Sequence, residues 1–424
     1  MQDHPQRQAL HNEVHARPPE PMQVPLAIAH IVMWTDRDGR EASRQHLSRL
    51  LSDHHQLSPG PDTTHLRVDL GAWRLRWEMH TEFVSWTFMR DVPEDVLTQA
   101  QPATALQVVP QEWLHALPGS ALTKLHLWAM PARAIDQGHF ARILQEDSVV
   151  ASTLSDGQAE VHTDFQIHAD GLARMVLFVG SVAPRRTGRL VQQLLEIETY
   201  RMAALLGLPA ARQAGSALSD AERELAELAQ AIRSAERSME ATLLDRLTTL
   251  AGQVEGQYAA THSRFSATKA YFELVDRRIH DIRESRLAGQ QTIAEFMDRR
   301  LSPARSTCEW AVRRQTALSE RVSRMSNLLR TRVEIEQQQS SQDLLSAMNR
   351  RQGLQLKLQS TVEGLSVAAI TYYLTGLVHY LAQGLDAHGW PFGVDTTTAA
   401  AVPLIALTVW LFMRRLHQRL KLGD

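Results

Sequence analysis

Thr371, Thr375, His379 and Gln383 recur at every fourth position through a stretch that is otherwise apolar. On a helix this spacing puts all four on one face. Polar groups at membrane depth are costly unless they face protein or water. The stripe therefore suits either a helix–helix contact held by hydroxyls or, with Gly376 beside it, the lining of an aqueous path. Upstream, Gln338, Ser341 and Gln342 lie in an uncharged polar run that interrupts an apolar seam, as a wet channel or a solvated patch would. Near the N-terminus, His11, Asn12, Glu13, His15, Arg17 and Pro18 belong to the segment His-Asn-Glu-Val-His-Ala-Arg-Pro-Pro. Two histidines four apart could share a metal, but the zinc-protease pattern needs glutamate directly after the first histidine. The prolines also disfavour helix just before them. The segment is thus expected to be a tether packed on the following domain, with its metal chemistry open.

No glycine-rich phosphate loop, no G-x-S-x-G elbow and no cysteine–histidine pair is visible, so no enzymatic activity is expected. The one cysteine, Cys308, excludes an intramolecular disulfide. No motif calls for a cofactor. Residues 1–180 carry 14 Lys and Arg against 22 Asp and Glu, and the remainder is net basic. An acidic N-terminal part argues against nucleic acid as its partner, because phosphate neutralisation needs clustered cations.

The elements that must carry these residues divide the chain. After the tether at 1–23, residues 24–208 read as an α+β domain with a mostly antiparallel sheet. Strand patterns fall at Pro25–Trp34, His65–Leu70, Trp73–His80, Phe83–Met89 and Leu122–Met130, and a helix at Arg40–His54. A tight hairpin is predicted across Asp170-Gly171, between Ala159–His168 and Leu172–Gly180. Trp73, Trp77, Trp86 and Trp128 are expected in the core. Thr187–Gly207 is helical, and residues 209–218 read as a hinge. Residues 219–301 are expected to form an antiparallel helical hairpin, with one helix from Ser219 to about Gly256 and the next from about Thr261 to Leu301.

Ser302-Pro303 reads as a helix start, serine as N-cap and proline at the first helical position. A stalk over 302–362 then runs into a first transmembrane helix at 363–382, a helix of about 80 residues and roughly 120 Å in all. An extracytoplasmic loop (383–395), a second transmembrane helix (396–413) and a basic tail (414–424) follow. Cationic flanks, such as Arg350, Arg351, Arg414 and Arg415, around a loop whose only charges are Asp386 and Asp395 place both termini in the cytoplasm of a bacterial inner membrane.

Two resemblances follow from these features. The His11–Pro19 motif with this order of parts resembles a bacterial family of uncharacterised membrane-anchored proteins, whose domain of unknown function covers nearly the whole chain. The architecture is also similar to the CorA-type magnesium channels: an acidic α/β head, two antiparallel helices, a long stalk helix entering the first span, a short outer loop and a second span. That likeness implies a homo-oligomer, a pentamer with stalks on the axis, and leaves a divalent cation as a ligand. The channel family ends its first span in Gly-Met-Asn, whereas this chain has Gly376-Leu377-Val378, so magnesium selectivity does not carry over. Two functions are expected in consequence. One is an ion channel or transporter lined by the first span and regulated by the head. The other is a membrane-anchored scaffold or sensor whose head binds a cytoplasmic partner of unknown identity, without transport.

Overall fold

The computed structural model describes residues 3–8, 10–11, 18–134, 143–234, 239–386 and 391–420. Its elements in chain order are β1 (Leu26–Trp34), α1 (Arg37–Asp53), β2 (His65–Asp69), β3 (Arg74–Met79), β4 (Phe83–Asp91), α2 (Gln111–His115), β5 (Ser120–Pro131), β6 (Val150–Leu154), β7 (Ala159–Thr163) and β8 (Ala173–Val179). Then come α3 (Pro184–Leu205), α4 (Gly207–Ser234), α5 (Glu240–Asp281), β9 (Ser285–Arg286), α6 (Ile293–Asp386) and α7 (Val394–Leu420). The chain divides into two units, Met1–Ser326 and Asn327–Asp424.

The first unit is built on one nine-stranded sheet in the order β2-β3-β4-β1-β5-β8-β7-β6-β9. Every pairing is antiparallel except β5 with β8. Because side chains alternate across a strand, β1 sends Leu26 and Ile28 to a core shared with α3 and α5, and Ala29, Ile31 and Met33 to a second core beneath α1. Trp73, Trp77, Trp86 and Trp128 are buried, as their strand positions predict. This is an α+β head with a mixed, mostly antiparallel sheet.

Several expected boundaries move. The tight turn across Asp170-Gly171 is present, with the Gly171 N–H donating to the His168 carbonyl (2.8 Å), the His168 N–H donating to the Leu172 carbonyl (3.0 Å) and Gly171 at φ +77°. The ladder beside it is shorter than expected: β7 ends at Thr163, which pairs with Met175, leaving a connection before β8. Asp164 closes this connection, accepting from the backbone N–H of Gln145 (2.9 Å) and bonding His168 (2.8 Å). The expected hinge at 209–218 is helical, inside α4, and α5 runs uninterrupted through Gly252 and Gly256.

The helix expected from Ser302-Pro303 starts nine residues earlier, at Ile293. Thr292 and Glu295 form a reciprocal cap: the Glu295 N–H donates to Thr292 Oγ1 (3.1 Å) and the Thr292 N–H to Glu295 Oε2 (3.1 Å). Glu284 takes the next two N–H groups, of Ile293 (2.9 Å) and Ala294 (2.7 Å). Pro303 then sits inside the helix on its exposed side. There the carbonyl that loses its N–H partner, four residues earlier, can be hydrated. Ser302 donates to Asp298 (2.8 Å) rather than capping.

Within this unit α4, α5 and the start of α6 pack as a layer. Arg305 reaches Asp276 (2.8 Å) and Gln315 pairs with Thr261 (3.2 Å), which sets α5 and α6 antiparallel, while Arg314 grips Glu222 of α4 with two bonds (2.8 and 2.6 Å).

In the second unit, α7 and the end of α6 form the C-terminal helix pair. Both helices are long and apolar enough to cross a membrane by length and composition. Their large side chains, such as Tyr372, Leu377, Tyr380, Leu404 and Phe412, point outward and are exposed, the arrangement lipid would require.

Candidate functional site: a polar pocket in the head

The β3 strand alternates strictly. Leu75 and Trp77 enter the aromatic core, which puts Arg76 and Glu78 on the opposite face. Such a charged face would normally meet solvent. Here α3 and α5 cover it, enclosing a cavity of about 250 Å³ lined by His30, Arg76, Glu78, Gln192, Glu196 and Arg278 among others.

Arg76 is 5% exposed. It donates to Glu78 (2.7 Å) and to Gln192 (3.4 Å), while its Nε has no partner among the described residues. Gln192 in turn donates to Glu196 (2.8 Å), and Glu196 pairs with Arg278. Charge is thus threaded from the sheet through α3 to α5. A buried guanidinium is expensive unless its donors are occupied, so the pocket is a place where a ligand's oxygen would be stabilised.

His30 forms the floor. Thr199 donates its proton to the Leu195 carbonyl (2.8 Å), so it accepts from His30 Nε2 (3.0 Å), and Thr87 donates to His30 Nδ1 (2.8 Å). Burial pushes the His30 pKa down to about 3, so the ring is neutral at neutral pH. At the rim, Glu82 in the β3–β4 turn takes Arg264 with two bonds (2.9 and 3.2 Å) and the Tyr271 hydroxyl (2.9 Å). Burial, helped by the Glu82 charge, raises the Tyr271 phenol above its ordinary range.

The N-terminal motif ends beside this pocket. The Pro18 carbonyl accepts from Arg67, which pairs with Arg76 across β2 and β3. Of the motif, Asn12, Glu13, His15 and Arg17 lie outside the described residues, and His11 is exposed. Among the described residues no group of three or more His, Cys, Asp or Glu could hold a metal ion.

The C-terminal stripe is partly gathered. Thr371, Thr375, Gly376 and His379 are half-buried. Gln383 donates to His379 Nε2 (3.2 Å), His379 Nδ1 donates to Thr398 Oγ1 of α7 (3.2 Å), and Thr398 donates to the Val394 carbonyl (2.8 Å). Gln338, Ser341 and Gln342 are exposed.

The sequence reading misses the pocket because alternation alone says which residues oppose the core and not whether a helix layer will cover them. Its signal is the polar partner face of α3, with Gln192 and Glu196 one turn apart.

A family described as "Protein of unknown function (DUF3422)" matches residues 2–420, and the chain belongs to that family. No curated protein and no solved structure matches it.

Proposed function

We propose that the chain is a membrane-anchored sensor or scaffold whose head takes a small carboxylate-bearing ligand in the pocket around Arg76. The observation that carries this reading is the buried guanidinium, held by Glu78 and Gln192 with its Nε unpartnered among the described residues. The C-terminal pair serves as the anchor in a bacterial inner membrane, with both termini cytoplasmic. The His379–Thr398 bond supports that role, since it spends the most pore-like side chain of the stripe on the neighbouring helix. Self-association is supported by Leu354, Leu358, Val362 and Leu365, an exposed apolar seam at coiled-coil spacing.

The test is the thermal midpoint of the detergent-purified full-length protein with acetate, succinate or glutamate. A rise in the wild type that is absent in Arg76→Met/Glu78→Leu, which removes both partners of the buried pair, supports the pocket. No rise, or an equal rise in the variant, overturns it.

A second reading, an ion path along the first span, draws on Thr375, whose hydroxyl is buried without a partner among the described residues. A polar group at that depth calls for water or another copy. Its test is cation flux in proteoliposomes, Mg²⁺ included as the divalent ion, which Thr375→Trp should abolish. A pentamer in native mass spectrometry would favour this reading, and a monomer or dimer would remove it.

A further inference from the structure

A second cavity lies along the N-terminal turns of α3. It has a volume of about 800 Å³ and is lined by Arg185, Arg186 and Arg189 of α3, by Arg283 just after α5, and by His280. One carboxylate, that of Asp281, lies in its wall, and it is already engaged by Arg278 at 3.2 Å. Arg186 and Arg283 share Asp156 of the β6–β7 turn, at 3.8 and 3.4 Å. Arg185 and Arg189 have no acidic partner among the described residues.

Two features make this cluster more than a solvated patch. First, its walls come from three separate elements: the first turns of α3 and the end of α5 bring the cations to one concavity, and the β6–β7 turn contributes Ser155. Second, they sit where helix energetics oppose them. The N-terminus of a helix carries a partial positive charge and favours acidic side chains. The first turn of α3 nevertheless holds no acidic residue and no side-chain cap, while Arg185 and Arg186 occupy it. This accumulation also runs against the acidic character of the head. Arg283 joins it from the left-handed backbone region (φ +48°), which a non-glycine residue seldom occupies.

We infer that this cavity is a polyanion site for a compound bearing two or more phosphate groups, with the guanidiniums of Arg185 and Arg189 as its principal ligands. Guanidinium forks match phosphate oxygens in charge and geometry. A polyphosphate would also satisfy the unfavourable end of α3. The site is separate from the pocket around Arg76 and does not depend on that reading. The phosphate could belong to a soluble polyphosphorylated compound or to an anionic lipid headgroup, which share this chemistry.

The experiment is calorimetric titration of the full-length protein in neutral detergent with sodium tripolyphosphate and, separately, with a short-chain cardiolipin, whose headgroup carries two phosphates. Arg185→Gln/Arg189→Gln is compared with Arg37→Gln/Arg49→Gln, which removes the same charge from the exposed face of α1. Saturable tripolyphosphate binding, weakened at least about tenfold in the first variant and unchanged in the second, supports a soluble ligand, whereas the same pattern for the lipid alone assigns the headgroup. Circular dichroism and the thermal midpoint establish that both variants are folded, and Arg185→Lys/Arg189→Lys should restore part of the affinity. Absence of saturable binding to either probe overturns the proposal, and so does equal weakening in the α1 variant.

Discussion

A Cβ placed on Gly188 would lie 1.7 Å from the backbone carbonyl oxygen of Glu20. The chain leaving the N-terminal motif therefore crosses α3 at a point where only glycine fits. The crossing is secured on both sides: the Met22 N–H donates to the Pro184 carbonyl (2.9 Å), and the Met22 side chain is 2% exposed. Gly188→Ala should push the strap off α3, with a loss of about 2 kcal/mol or more, as overpacking against backbone does. Hydrogen exchange at residues 18–24 should rise sharply, with protection in β1 retained. Unchanged exchange there would show that the crossing is not rigid.

His30 and His126 give the head an acid sensitivity whose sign is fixed. Burial lowers His30 from 6.5 to about 3 and His126 from 6.5 to about 4. Unfolded chains take up these protons as pH falls through 6.5, while the folded state resists until about 4 or below. Stability is therefore complete above the unfolded value and falls by about 1.4 kcal/mol per pH unit for each ring between roughly 6.5 and 4. His126→Phe, at a position whose Nδ1 has no partner among the described residues, should reduce this slope by the share of one ring, about 1.4 kcal/mol per pH unit. The measurement is the thermal midpoint as a function of pH, and an unchanged slope would assign the sensitivity elsewhere.

Cys308 offers a probe of the α4–α5–α6 layer. It is 5% exposed and packs with Ala211, Ala214, Phe265 and Ala311. Burial, with the Glu309 charge adding to it, raises the thiol pKa, so little thiolate is present at neutral pH. The native thiol should react with an aromatic disulfide reagent at least about a hundredfold more slowly than the denatured chain, at a rate set by local opening. Arg314→Lys replaces the two-bond grip on Glu222 by a single point charge and should accelerate the reaction. Equal rates in native and denatured protein would place the thiol on the surface.

Much of the head is legible in the sequence where one face of a strand is apolar and the other is not. Leu75 and Trp77 mark β3, and the run from Leu26 to Trp34 marks β1. Val150–Leu154 escapes because both of its faces are buried, so its sequence shows no alternation, and Ser285–Arg286 because two residues carry too little periodicity. The start of α6 is misread for a different reason. Ser302-Pro303 and Thr292–Glu295 are both good starting signals, and the choice between them is made by Glu284, which folds back from the preceding turn to accept two further N–H groups. The pocket around Arg76 is illegible because its chemistry depends on α3 covering a charged face. That is a tertiary event.

The polar contact between α6 and α7 yields the last prediction. His379 is a donor to Thr398 and an acceptor from Gln383, so each polar group in the chain from Gln383 to the Val394 carbonyl has a partner. In a bilayer such a bond contributes about 0.6–2 kcal/mol, because the separated helices also find partners. Thr398→Val and His379→Leu should each loosen the pair, and the double variant should cost less than the sum of the two by about that amount. Reversible unfolding in mixed micelles, followed as a double-mutant cycle, measures the coupling. If the stripe instead lines a water path, His379→Leu should abolish cation flux with no coupling to Thr398. A coupling near zero with flux lost would therefore return the stripe to the channel reading, whereas a coupling with no flux in the wild type assigns it to the anchor.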